Sequence, residues 1–343
     1  MKKRIDFRSD TVTLPTQKMR QAIFEAELGD DVIGEDPTVN KLQALAAELT
    51  GKEAALLVTS GTMGNQISIK AHTLPGQEII VEELSHIFIH ELAGAAVISG
   101  LQTKALKGMN GIMNPLEIEE KISIEDDHAP GTSLICIENP HNMAGGVVVP
   151  LDTMKRYSEI AKKHNLKIHL DGARLFNAAL ALKKEPKEIT QYVDSVMFCL
   201  SKSLCAPIGS IICGSKEFIS KAHRVRKMLG GGMRQAGIIA APGIVALEDM
   251  TTRLFEDHEK ARILAQGIDT IDNLTIDINT VETNMVFFNT KNAVNLVKSL
   301  EKRGILCWNT SEDRIRMAVH YYITEEDILY TIQSLKEIMK GKR

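Results

Sequence analysis

The sequence lacks an excess of either charge sign. Its 41 lysines and arginines face 44 aspartates and glutamates in 343 residues, a formal net charge of −3. Bulk electrostatic binding to nucleic acid needs a basic surplus or stripe, and neither is present. No run reaches the roughly 18 apolar residues that mark a membrane span, so none is expected. The basic start Met1-Lys2-Lys3-Arg4 leads into charged and polar residues without the apolar core of a secretory signal. Cysteine is sparse, at five (Cys136, Cys199, Cys205, Cys213, Cys307), with no C-x-x-C pair; an odd set lying mostly in apolar runs points to a reducing, cytoplasmic setting. Also missing are a G-x-G-x-x-G after the first strand and a G-x-x-x-x-G-K-[ST], which excludes the usual dinucleotide and P-loop signatures. His86, His90 and Glu91 are close in sequence but do not make H-E-x-x-H, and no metal is expected.

What is present suits an ordinary folded chain: 44% hydrophobic and 25% charged residues, in a length that suggests two domains. Asp36, Pro37 and Gly51 bracket an apolar-periodic helix. The run Ala54–Val58 is too short for a helix and ends in Thr59-Ser60-Gly61-Thr62, after which Met63–Thr73 reads as helix. Further strands are expected at Glu78–Val81, Ala96–Ile98, Ser133–Ile137, Lys167–Leu170, Val196–Leu200 and Ser210–Cys213, with helices at Asp152–His164 and Lys216–Met228 between some of them. Apolar strands alternating with helices predict an α/β fold, a mostly parallel seven-stranded sheet covered on both faces. A long helix over Ala246–Asp269 is expected to open a smaller α+β region. It has strands near Asn284–Phe288 and Arg314–Val319, a helix at Ala293–Lys302, and a last helix capped by Thr324 and Asp327. The expected domains are 1–245 and 246–343.

Ligands of open parallel sheets bind beyond the carboxyl ends of the strands. Three such ends carry candidate chemistry. Ser60-Gly61-Thr62 opens a helix whose N–H groups suit a phosphate, although it also suits an ordinary N-cap. Asp171, after Lys167–Leu170, needs a cation or donors where it is buried; a structural pair with Arg174 is the plain alternative. Lys202, after Val196–Leu200, suits a Schiff-base nucleophile, or a solvated loop lysine. A phosphate cradle, a buried carboxylate and a lysine together are what a pyridoxal phosphate site needs.

Longer strings resemble a known family. Asp6-Phe7-Arg8-Ser9-Asp10-Thr11, Gly34-Glu35-Asp36-Pro37-Thr38, Ser60-Gly61-Thr62-Met63-Gly64-Asn65-Gln66, Ser85-His86-Ile87-Phe88, Glu138-Asn139, His169-Leu170-Asp171-Gly172-Ala173-Arg174, Cys199-Leu200-Ser201-Lys202 and Gly230-Gly231-Gly232-Met233-Arg234-Gln235 are similar to strings of the low-specificity L-threonine aldolases. The resemblance implies a fold-type I pyridoxal phosphate enzyme, a homotetramer with shared active sites. It implies cleavage of β-hydroxy-α-amino acids, threonine and allo-threonine among them, to glycine and an aldehyde. A β-eliminating lyase or an aminotransferase of the same fold is the alternative, and a non-catalytic binding protein a more distant one. Carried over by residue, Lys202 is the Schiff-base lysine and Asp171 the partner of the ring nitrogen. Ser60, Gly61 and Thr62 bind the phosphate, and His86 stacks on the ring. Ser9, Arg174 and Arg316 hold the substrate carboxylate, Arg316 in the looser match Ile315-Arg316-Met317-Ala318-Val319-His320. Lys227 and Arg234 reach a neighbouring subunit's phosphate, and His128 approaches the substrate hydroxyl. The proton acceptor is left open among His86, His128 and a water.

Overall fold

The computed structural model describes residues 4–341; Met1, Lys2 and Lys3 of the basic start lie outside it, as do Lys342 and Arg343. The strands are β1 (Ile5–Asp6), β2 (Ala54–Val58), β3 (Glu78–Glu82), β4 (Gln102–Leu106), β5 (Thr132–Glu138), β6 (Lys167–Asp171), β7 (Ser195–Cys199), β8 (Ser210–Gly214), β9 (Leu274–Thr275), β10 (Met285–Thr290), β11 (Ile305–Leu306), β12 (Trp308–Asn309) and β13 (Arg314–Ala318).

Seven of them form the large sheet, in the order β2-β8-β7-β6-β5-β3-β4. Only β8 runs antiparallel to its neighbours, so the carboxyl ends of β2, β3, β5, β6 and β7 share one edge. The central strands are apolar and buried because helices cover both faces: Leu57, Ile80, Ile135, Leu170 and Phe198 are all sequestered in one core.

The helix Pro37–Thr50 forms as its ends dictate. Asp36 Oδ1 accepts the N–H groups of Thr38 and Val39 at 3.1 and 3.0 Å, and Gly51 turns out of the helix at φ 61°. The other Asp36 oxygen accepts from the N–H groups of Gly29 and Gly237, so one cap also ties two distant segments together.

Two expectations were overturned. Ala96–Ile98 is not a strand but part of the helix Gly94–Ser99, bracketed by left-handed Ala93 and Gly100. The strand at this place is β4, whose polar edge sequence Gln-Thr-Lys-Ala-Leu carries no apolar run. The expected helix Ala246–Asp269 belongs to a longer helical course. Gly237–Val245 is α-helical, Ala246–Met250 forms a π turn and Thr251–Arg253 a 3-10 turn, and only then does the α-helix Leu254–Asp269 begin.

A second core lies around the small antiparallel sheet β12-β13-β10-β9. Leu264, Phe288, Met317 and Ile328 fill it, and so do Ile5 and Phe7 from the N-terminal segment, where β1 pairs in parallel with β11. That docking holds Ser9 and Asp10 between the two cores. No helix among the described residues is long and apolar enough to cross a membrane.

Candidate active site

A cavity of about 500 Å³ opens at the carboxyl edge of the large sheet. Ser9, Ser60, Gly61, Thr62, His86, Asp171, Arg174, Lys202 and Arg316 all line it. These are the residues that sequence reasoning singled out from six separate stretches of chain, apart from His128, Lys227 and Arg234.

Ser60 caps the helix Gly61–His72, its Oγ accepting from Met63 N at 3.1 Å. The first N–H groups of that helix have no partner within it and point out of its positive end. Gly61 sits close to β7: a Cβ there would stand 3.0 Å from Cys199 Sγ, a tight contact that the sulfur would have to yield to.

Asp171 ends β6, buried, with Oδ2 accepting from Asn65 Nδ2 at 2.8 Å and Oδ1 from Ala173 N at 3.1 Å. Asn65 also donates to Glu91 Oε1, at 2.8 Å, so its two amide hydrogens face two carboxylates and its Oδ1 must face His169 Nε2, 3.0 Å away. His169 Nδ1 then accepts from Ser195 Oγ at 2.9 Å, and Ser195 Oγ accepts from His72 Nε2 at 2.7 Å. Every donor along this path points toward the end that holds the Asp171 and Glu91 carboxylates. Burial holds both imidazoles neutral, pushing His169 down to about 3 and His72 to about 4.

His86 is held by two buried carboxylates. Its N–H donates to Glu138 Oε2 at 2.6 Å, and its Nδ1 lies 2.8 Å from Glu91 Oε1. Burial pulls its pKa down, but Glu91, with Asp171 and Glu138, outweighs burial and raises it. The acidic groups of Glu91 and Asp171 are thus bridged by Asn65 and occupied by hydrogen bonds. Glu138 accepts a second N–H, from Asn142, and burial pushes its carboxyl up.

Arg174 is not a free cation. Its Nε and Nη2 grip Asp10 Oδ2 and Oδ1 at 2.7 and 2.6 Å, leaving Nη1 alone outside the pair. Asp10 also accepts from Ser203 Oγ at 2.8 Å. Burial pushes the Asp10 carboxyl up, yet Arg174, Lys202 and Ser203 together hold it far below the usual range. Arg316 has no such acid. It is 7% exposed, its Nε meets no acceptor, and its other contacts are long: the carbonyl of Arg8 at 3.5 Å and Met285 Sδ at 3.9 Å. Burial and the charge of Arg174 press its pKa down to about 10. A buried guanidinium without a counter-ion, beside a second one, is a site that calls for an anion.

Lys202 Nζ has no hydrogen-bond partner among the described residues, while its carbonyl is fixed by Thr13 Oγ1 at 2.8 Å. The lysine, the buried carboxylate, the glycine-floored helix start and the unpaired Arg316 fit pyridoxal phosphate and an amino-acid carboxylate.

Three expected residues stand elsewhere. His128 is exposed on the loop that enters β5, its N–H donating to Asp126 Oδ1 at 2.7 Å. That is the amino end of the strand, and the cavity is at the other end, so His128 does not reach its own chain's cavity. Lys227 is exposed in the last turn of the helix Lys216–Met228, and Arg234, its side chain 62% exposed, pairs with Asp30 at 2.7 Å. Conversely, Asp10, Asn65 and Glu138 serve the site although only their strings, and no role, were legible. His90 and Trp308 line the cavity with no sequence signal beyond the spacing of His90 from His86.

Residues 6–292 match the family described as beta-eliminating lyase. The chain is 43% identical to low-specificity L-threonine aldolase 1 of Arabidopsis thaliana, over 98% of this chain and 96% of that protein. It is 41% identical to low specificity L-threonine aldolase of Escherichia coli strain K12, over 94% and 96%. The fold superposes on a threonine aldolase of Leishmania major with a TM-score of 0.85 at 19% identity, covering 98% of this chain and 99% of that one. The chain belongs to the low-specificity L-threonine aldolases, within the beta-eliminating lyase family.

Proposed function

We propose that the protein is a pyridoxal phosphate-dependent aldolase that cleaves L-threonine and L-allo-threonine to glycine and acetaldehyde, serving threonine catabolism and glycine formation. The observation that carries this reading is the meeting of Lys202, Asp171, Arg174 and Arg316 in one cavity. When bound, the cofactor supplies a sink for the electron pair that Cα keeps as Cα–Cβ breaks.

The chain's residues do the rest. Lys202 carries the cofactor, Asp171 faces its ring nitrogen, and Ser60, Gly61 and Thr62 hold its phosphate. His86, fixed by Glu91 and Glu138, lies against the ring. Ser9, Arg174 Nη1 and Arg316 would bind the substrate carboxylate, and that clamp would fix the orientation of the bonds at Cα. The trapped Asp10–Arg174 pair keeps Arg174 from swinging.

The two cores support a division near residue 245, a large cofactor-bearing domain (1–245) and a small domain (246–343) that brings Arg316 over the site. Exposed Phe24, Ile33 and Leu92, at 86%, 66% and 92%, support assembly into a homotetramer. In that assembly Lys227 and Arg234 serve a neighbour's phosphate. The five buried, unpaired cysteines suit the cytoplasm.

The test is aldehyde release from L-threonine, L-allo-threonine and D-threonine in parallel, with Lys202→Ala as the control that abolishes it. Release from neither L-epimer overturns the reading. Pyruvate and ammonia from serine, or amino-group transfer, would assign the site to a β-eliminating lyase or an aminotransferase instead.

A further inference from the structure

Aldol cleavage requires an acceptor for the β-hydroxyl proton. Two imidazoles line the cavity, His86 and His90. They stand at the two ends of the short helix His86–Ile89, of which His90 is the C-cap, and their rings lie 5.4 Å apart, tilted by 55°.

Their surroundings divide the work between them. His86 is committed through Nδ1 to the buried Glu91 carboxylate and favours its charged form, a poor proton acceptor. Neither ring nitrogen of His90 has a hydrogen-bond partner among the described residues. The groups facing it are His86 and Glu91 from its own segment and Arg316 from β13. Burial and the two cations press its pKa down, and Glu91 offsets them only in part. His90 is therefore a neutral, unengaged imidazole at the cavity wall, next to both the ring-stacking His86 and the carboxylate-binding Arg316. A substrate carboxylate held at Arg316 would keep the amino acid in the cavity that His90 lines, within reach of this wall.

We propose that His90 is the general base that accepts the β-hydroxyl proton during Cα–Cβ cleavage. The inference rests on the aldolase reading. In the step, the O–H bond breaks as an N–H bond forms on His90, and the freed oxygen pair becomes the second C–O bond of the aldehyde. The Cα–Cβ bond breaks with its pair left on Cα, and a proton delivered to Cα completes glycine, so that threonine equals glycine plus acetaldehyde.

The experiment compares the holoenzyme with His90→Phe and His90→Ala in two reactions. One is aldehyde release from L-threonine; the other is exchange of the glycine α-proton with deuterated solvent, which needs the cofactor, Lys202 and the carboxylate clamp but no hydroxyl. His90→Phe should lose on the order of 10²–10⁴ in kcat for cleavage and keep glycine exchange. The acid limb of kcat/KM should fall below the ordinary histidine value of about 6.5 in the unaltered enzyme and vanish in His90→Phe, and added imidazole should restore cleavage by His90→Ala. Cleavage by His90→Phe at the unaltered rate, survival of the acid limb, or joint loss of cleavage and exchange would each overturn the proposal. Exchange without any aldehyde from the unaltered enzyme would overturn the aldolase reading itself.

Discussion

Two arginines in one cavity behave differently because only one has an acid of its own. Arg174 is neutralised by Asp10 at 2.6 Å, whereas Arg316 is buried without a counter-ion. Removing Arg316 therefore relieves an unpaired buried charge. Arg316→Met should raise the KM for threonine roughly 10–100-fold, the loss of a charge-assisted contact of about 1.5–3 kcal/mol, without lowering the melting temperature. Asp10→Asn should do the opposite, stripping Arg174 of its partner at a cost of about 3–5 kcal/mol in stability, read by thermal unfolding of the cofactor-free protein. An Arg316→Met protein that unfolds earlier would show that Arg316 braces the fold rather than awaits a ligand. At this scale the sequence was partly legible. Lys202, Asp171 and the phosphate loop follow strand ends and could be read by position. Asp10 could not, because its partner Arg174 comes from the turn after β6, far away in sequence. His128 stands away from its own chain's cavity because its loop feeds the amino end of β5, which no local string reveals.

The elements behind the site form a single hydrogen-bonded path. The helix Gly61–His72 supplies both Asn65 and His72, β6 supplies His169 and Asp171, and β7 supplies Ser195. The two carboxylates at one end fix the direction of every bond, which requires neutral imidazoles at the other. Asn65→Ala removes the donor to Asp171 and should weaken pyridoxal phosphate binding roughly tenfold, measured by titrating the cofactor-free protein. The same path sets an acid limit. His169 and His72 have folded pKa values of about 3 and about 4, below the unfolded histidine value. The unfolded chain therefore takes up protons first as pH falls. Their contribution is complete above about pH 6.5 and declines at roughly 1.4 kcal/mol per pH unit for each histidine below it. Melting temperature should drop between pH 6.5 and 4, and His72→Gln should flatten that drop; a slope unchanged in the variant would show that other groups dominate. Central strands were legible because both faces are buried, and β4 was not, because an edge strand carries polar residues. The π turn at Ala246–Met250 left the apolar and charged spacing of its helix intact, so only its start was misjudged.

At the scale of the whole molecule, a net charge of −3 conceals a cavity in which Lys202, Arg174 and Arg316 converge. The phosphate end, at Ser60-Gly61-Thr62, draws no side-chain cation from its own chain's lining residues other than these. Lys227 and Arg234 are exposed outside the cavity, and nearby Ile33 leaves an apolar surface uncovered. A symmetric partner would bury that surface and bring the two cations to the other subunit's phosphate. Subunit mixing tests this directly. Lys202→Ala should be inactive and Arg234→Ala should need much more cofactor. If sites are shared, unfolding and refolding the two together yields hybrids in which one site draws its lysine and its arginine from undamaged copies. Random pairing should then return about a quarter of the unaltered activity at limiting cofactor, because half of the pairs are hybrid and each has one intact site. Arg234 acting within its own chain would leave every hybrid site damaged by one change or the other only where its own subunit carries it, and the mixture would show no gain over the two proteins assayed apart.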